Sequence, residues 1–310
     1  MRAVAIPAAR TKAPVRGTQL LVVHMGAVIK RPGLTLIEIT WRWLVGIPIL
    51  LVLWQQALKI LSEYPLESSG AGSIDFTNPW LAAQQAAGAW SYYIPHAMTV
   101  MRWLLPVWAA AWIVISALGR NLLLMRIEPK LRFRPVTMIA LHTAWMAMFA
   151  VVAYGWFRSM EWVGASRMAA PGEPDLIGFF IWTIFLSLGF FAVWALVNWT
   201  VSVAPLIALF EERSALSALG ESLKLGKAFA GKLAEINLVM GIVKIGLAVL
   251  AMVFSAAPLP FSDELGPAAM HAVVAASLVF FLVATDYFQV VRLKAFVEFW
   301  KIFRGNESAS

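Results

Sequence analysis

Few residues in this 310-residue chain are equipped for chemistry, and they are scattered. There is no cysteine, which excludes disulfides, thiolate nucleophiles and thiolate metal sites. HExxH, GxSxG and a phosphate-cradling glycine loop are absent as well, and no acidic cluster suits a hard cation. Two ionisable residues stand out because their surroundings are apolar. Lys244 lies nine residues beyond Glu235, about 13 Å along a helix that rises about 1.5 Å per residue. Asp286 lies six residues before Arg292 in the last apolar stretch, and an antiparallel hairpin would bring it to the same depth. A Lys244–Asp286 pair that cancels both charges and locks two helices is the expected arrangement. Two alternatives remain: an ion or substrate path through these residues, and a lysine that snorkels toward the membrane surface.

The remaining polar candidates are weaker. His24 and His142 belong toward one side of the membrane, and His96 and His271 toward the other. Haem ligated by histidines from different helices would need such pairs. No apolar span carries two of them, so ordinary interfacial histidines are expected, with haem as the lesser alternative and otherwise no cofactor, metal or catalytic activity. Asn198, inside a long apolar run, is suited to a hydrogen bond across helices.

The elements that must carry these residues are membrane helices. Residues are 61% hydrophobic and only 14% charged, where a soluble domain has about 25% charged residues. Stretches at 41–61, 101–119, 135–157, 176–200, 236–257 and 268–291 each approach the roughly 20 residues that cross a bilayer. The expected fold is therefore an all-α, six-helix transmembrane domain over 18–304. A flexible basic tail at 1–17 and a short tail at 305–310 flank it. An even number of spans puts both termini on one side. Nineteen Lys and Arg fall in the terminal segments and the loops on that side, against two in the loops opposite. Basic loops are retained in the cytoplasm, so both termini are expected there, in a bacterial inner membrane. The net charge of +8 is thus topological; membrane lipids are the expected partners and nucleic acid is not.

Between the spans, the outer segment 62–99 begins with turn-forming residues, and a short helix is expected at about 79–93. Its Trp80, Trp90, Tyr92 and Tyr93 suit an interfacial lid. Residues 20–29 and 214–225 read as amphipathic surface helices, each preceding a span; Lys30, Glu38 and Ile39 recur at constant offset as Lys227, Glu235 and Ile236. The uncharged run 176–210 is too long for one straight crossing, so its end should bend at Pro205 into the interface or form a protein-shielded re-entrant segment. Ala140, Ala144, Ala147 and Ala150 form a small-residue face that would let a neighbouring helix approach.

Residues 204–225 read APLIALFEERSALSALGESLKL: a proline closes an apolar run, an acid follows, and Ala218, Leu219, Ser222 and Leu225 pattern the next helix. With Pro205 and Glu211, this pattern resembles the membrane domain attached to some glycerophosphodiester phosphodiesterases, and related multispan bacterial membrane proteins of unassigned activity. The likeness covers about residues 204–245. It implies membrane architecture and bacterial origin; the phosphodiesterase barrel with its carboxylates and histidines has no counterpart here. The function expected is that of a non-enzymatic organising or assembly subunit of a larger membrane complex, bound to other membrane subunits. The alternative is a transporter or lipid-handling protein using a polar path near Lys244 and Asp286.

Overall fold

The computed structural model describes residues 17–69, 79–168, 175–224, 227–256 and 267–307. Their regular structure is helical, with no strand among the described residues: α1 (Gly17–Ile29), α2 (Pro32–Glu63), α3 (Leu66–Ser69), α4 (Pro79–Ile127), α5 (Pro135–Arg167), α6 (Leu176–Val201), α7 (Ala204–Phe210), α8 (Ala215–Lys224), α9 (Lys227–Ala256) and α10 (Pro267–Glu307). Six of these, α2, α4, α5, α6, α9 and α10, are long and apolar enough to cross a membrane. The protein is an all-α multi-pass membrane protein.

Local chemistry sets the helix starts. α2 and α5 each begin with a proline in the first turn, after Arg31 and Arg134, where the missing N–H would have no intrahelical partner anyway. Asp175 caps α6 by accepting from the Gly178 amide at 2.8 Å, and its carboxylate also meets Arg167 at 3.0 Å, tying the far ends of α5 and α6.

The spans pack in a closed ring: α2 on α4, α4 on α5, α5 on α6, α6 on α9, α9 on α10 and α10 on α2. Tight closure is confined to the end that carries both described termini. There the core gathers Leu34, Leu123, Leu124, Met138, Leu141, Leu206, Ile236 and Phe296. α1 packs across α9 and α10, burying Leu21 and Val28 while Val22, Val23 and Ile29 face outward. At the opposite end apolar side chains face out, as on any lipid-contacting surface.

Several expectations need correction. The helix expected at 79–93 is continuous with the second span, because α4 runs 49 residues through Pro95 and Pro106. Each proline removes a single backbone donor and so frees the carbonyl four residues before it, while Thr99 Oγ1 makes an ordinary back-bond to Pro95 O at 2.9 Å. Gly305–Glu307, expected in a tail, continue α10, while residues 1–16 and 308–310 lie outside the described residues. On the alanine face of α5, Ala140, Ala147 and Ala150 are exposed and Ala144 is half-buried, so the expected close helix approach along the whole face is not made. The run 176–210 breaks at Ser202–Val203, and α7 is a short segment shielded by protein on nearly every side.

Candidate functional site

At the packed end the ring encloses a cavity of about 300 Å³ to which all six spans contribute. α2 supplies Trp41 and Arg42; α4 supplies Trp112, Ser116 and Arg120; α5 supplies His142 and Trp145. Asn198 comes from α6, Lys244 from α9, and Gln289 and Arg292 from α10, while Pro205 and Leu206 of α7 close one wall. The wall between α2 and α4 depends on Gly119, since a Cβ there would stand 2.3 Å from Trp41 Cγ. Trp41 in turn packs at a tilt against Trp112, with ring centres 5.6 Å apart, and donates from Nε1 to Glu38 Oε2 at 2.9 Å.

The charges around this cavity are unevenly matched. Glu38, fully buried, meets Arg42 Nε at 3.1 Å and stands 4.0 Å from Arg120. Asp286 meets the same Arg42 at 2.5 Å, joining α10 to α2. Both carboxylates are thus engaged chiefly by Arg42. Among the described residues Arg292 reaches neutral partners, Asn237 Oδ1 at 3.3 Å and the Phe296 ring, whose centre is 5.7 Å away, and its Nε is buried without a hydrogen bond. Lys244, half-buried, makes no ion pair within 4 Å among the described residues. The charged groups acting on it are Arg292, Arg42, Arg120 and the lone carboxylate Asp286. Gln289 Oε1 is a further buried acceptor with no donor.

The expected Lys244–Asp286 pair is therefore corrected. α9 and α10 do pack as neighbours, but Asp286 is turned toward α2, where a guanidinium offers it a geometrically matched donor. Lys244 instead faces the cavity. Asn198 makes the interhelical bond expected of it, accepting from Trp145 Nε1 at 2.9 Å. Tyr92 and Tyr93 belong to an aromatic cluster at the far end. The Tyr93 hydroxyl donates to Tyr64 O at 2.9 Å, and His96 stacks on Tyr64 with ring centres 3.6 Å apart. Trp80 and Trp90 belong to α4, but their side chains lie outside the described residues.

The histidines occupy four separate settings. His142 lines the cavity, with Nδ1 2.9 Å from Met138 O; His96 lies in the tyrosine cluster; His271 is exposed. His24 is buried on α1 with neither ring nitrogen hydrogen-bonded, and burial, reinforced by the Lys294 charge, holds its pKa below the usual histidine value. No group of three or more metal-binding side chains occurs among the described residues. Outside the ring, Glu128 pairs with Lys301, chiefly through a hydrogen bond that lowers the Glu128 pKa.

The pattern in 204–225 acquires a structural meaning. Pro205 opens α7, Glu211 closes it and pairs with Arg213 at 2.8 Å, and Arg213 also binds Glu221 of α8 at 2.9 Å. Arg134 donates to Ala208 O and Arg213 O at 2.9 Å each, stitching α5 to this turn. Ala218 and Ser222 form the buried face of α8; Leu225 lies outside the described residues. Comparison with protein-family models, characterised proteins and solved structures gives no match for this chain.

Sequence reasoning passed over Glu38, Arg42, Arg120, Gln289 and Arg292. Arg120 and Arg292 are among the nineteen basic residues that count toward cytoplasmic retention, and Arg42 sits at the edge of the first apolar stretch. One available signal was the i, i+4 spacing of Glu38 and Arg42, which places both on one helix face.

Proposed function

We propose that this protein is a non-enzymatic, lipid-handling or transport protein of a bacterial inner membrane, binding a polar-headed ligand in the cavity enclosed by its six spans. The observation that carries this reading is that every span contributes to one polar cavity inside an otherwise apolar bundle. Polar side chains at membrane depth are expensive, and their convergence marks ligand and ion paths more often than structure. The asymmetry of nineteen basic residues against two supports cytoplasmic termini, and hence a cavity nearer the cytoplasmic leaflet. Cysteines introduced at Ser69 and Ser166 should then label from outside, and one at Ser214 from the cytoplasm.

The test is native mass spectrometry of the full chain in mild detergent. A small molecule or lipid retained at one per chain is expected, and it should be lost in Ser116→Trp, which fills the cavity. A folded wild-type chain with nothing retained, or retention unaffected by Ser116→Trp, would overturn the reading.

A second reading, an organising or assembly subunit, is favoured by α6. None of its spanning window is buried, and Phe180, Trp182, Phe185 and Phe191 are exposed on it. Migration at a fixed ratio with other membrane proteins, with α6 protected from photo-crosslinking to lipid, would support that reading.

A further inference from the structure

Deepening the binding reading, and resting on it, we propose that the cavity recognises a phosphate-bearing anion through Arg120, Lys244 and Arg292. The first ground is charge. Arg42, Arg120, Lys244 and Arg292 line the cavity, and among the described residues the carboxylates shown pairing with or acting on them are Glu38 and Asp286. Four cations against two carboxylates leave an excess of two. Guanidinium groups do not deprotonate in proteins, so even a neutral Lys244 leaves an excess of one. A desolvated, unmatched cation is strongly unfavourable, and an anionic ligand relieves that penalty directly.

Geometry then assigns roles within the set. Arg42 is occupied by Asp286 at 2.5 Å and Glu38 at 3.1 Å, so it forms the floor. Among the described residues, Arg120 has no ion pair closer than 4.0 Å, Arg292 has a buried Nε without an acceptor, and Lys244 has no ion pair. These three come from α4, α10 and α9, so their donors converge from different walls. A phosphate group offers several oxygens to such converging donors and matches guanidinium forks two bonds at a time. Its charge of about −1 to −2 fits the excess. Gln289 Oε1, a buried acceptor without a donor, would suit a hydroxyl on the ligand.

The rest of the lining is apolar or aromatic, including Trp112, Trp145, Leu141 and Phe296. At about 300 Å³ the cavity lies at the lower end of ligand-site volumes. A phospholipid headgroup or a free phosphate brings the same recognition chemistry, and the test separates them.

The full chain, delipidated in a nonionic detergent, is titrated in three arms with inorganic phosphate, phosphatidylglycerol and diacylglycerol. Binding is read by native mass spectrometry and by the fluorescence of the cavity tryptophans. Saturable binding of phosphate, of phosphatidylglycerol or of both is expected, with diacylglycerol at least tenfold weaker. Phosphatidylglycerol binding not displaced by millimolar phosphate assigns the lipid source; equal competition assigns the phosphate group itself. Arg120→Gln with Arg292→Gln should weaken binding about 10- to 100-fold, while exposed Arg158→Gln leaves it unchanged. If the double variant does not fold, Lys244→Met and Arg292→Lys supply the same reading, each expected to weaken binding. Saturable diacylglycerol binding abolished by Ser116→Trp, with no preference for phosphate, sinks this inference and leaves the binding reading standing. No saturable binding in any arm sinks both.

Discussion

α6 and α7 are consecutive in the chain and opposite in their packing. The 26 residues of α6 form the most apolar span and bury none of its membrane window, whereas the seven residues of α7 bury Ala204, Leu206, Ile207, Ala208 and Leu209. The same contrast runs through the described residues: the packed end holds the buried charges, while at the opposite, loose end apolar side chains face outward and the ion pairs Lys59–Glu63 and Arg158–Glu161 are exposed. In water, an apolar run predicts burial; in lipid it predicts only location in the membrane, and the burial of α7 follows from the polar anchors Arg134, Glu211 and Arg213 around it. Polar contacts therefore mark where this protein packs tightly.

The sharpest way to break the contrast is to unbalance the packed end. Asp286→Leu leaves Arg42 without its main partner and should destabilise the protein by about 3–5 kcal/mol, read as denaturation in detergent. Adding Arg42→Met together with Glu38→Gln, which removes the cation along with its other carboxylate, should recover much of that loss, and more than adding Lys244→Met does. Equal recovery from either would restore Lys244 as the partner of Asp286.

A smaller effect is expected from steric change at the α2–α4 contact. Gly119→Ala places a methyl group against the rigid Trp41 indole and should cost about 1–3 kcal/mol. Gly189→Ala, on α6 with nothing within 4 Å, should leave stability unchanged or raise it by about 0.5–1 kcal/mol through helix propensity. Equal behaviour of the two variants would erase the difference between the ends.

Acid should also act on the packed end first. His24 has a folded pKa below its ordinary 6.5, so the unfolded chain binds the proton more readily, and stability declines as pH falls below 6.5. Glu128, lowered from 4.5 by Lys301, contributes stability that is present above 4.5 and is lost as pH falls through its folded pKa. Thermal scans across pH should lose the upper step in His24→Phe and the lower step in Glu128→Gln. The smallest effect belongs to the loose end, where Phe185→Leu on α6 should change stability by no more than about 0.5 kcal/mol.

The architecture was legible in the sequence because hydropathy and length suffice to place six spans, and Pro32, Pro135 and Pro205 mark real helix starts. That Lys244 and Asp286 lie near one another was legible too, but not their partners. Depth follows from counting along one helix, whereas facing depends on how six helices close into a ring, and a span that is apolar all round does not reveal its inward side. Arg42, Arg120 and Arg292 were hidden for a related reason. Residues near span ends serve equally as topological signals or cavity walls, and only the ring's closure at the terminal end turns them inward. Gly119 carried no visible signal because its importance lies in Trp41, which is 78 positions away in the chain.

The central claim is that the packed end holds an accessible cavity with an excess of positive charge, and the absence of cysteine makes it directly measurable. A single Ser202→Cys variant places one thiol in the cavity wall. Its modification rates by anionic and cationic thiosulfonates of similar size can be compared with those at a control outside the cavity, Ser69→Cys, in the short helix α3. The account predicts an anionic-to-cationic rate ratio at least tenfold higher at position 202 than at position 69, collapsing in Arg120→Gln with Arg292→Gln or in the presence of a saturating phosphate-bearing ligand. Equal ratios at the two positions, or a thiol at 202 that reacts with neither reagent in the folded protein, would contradict it.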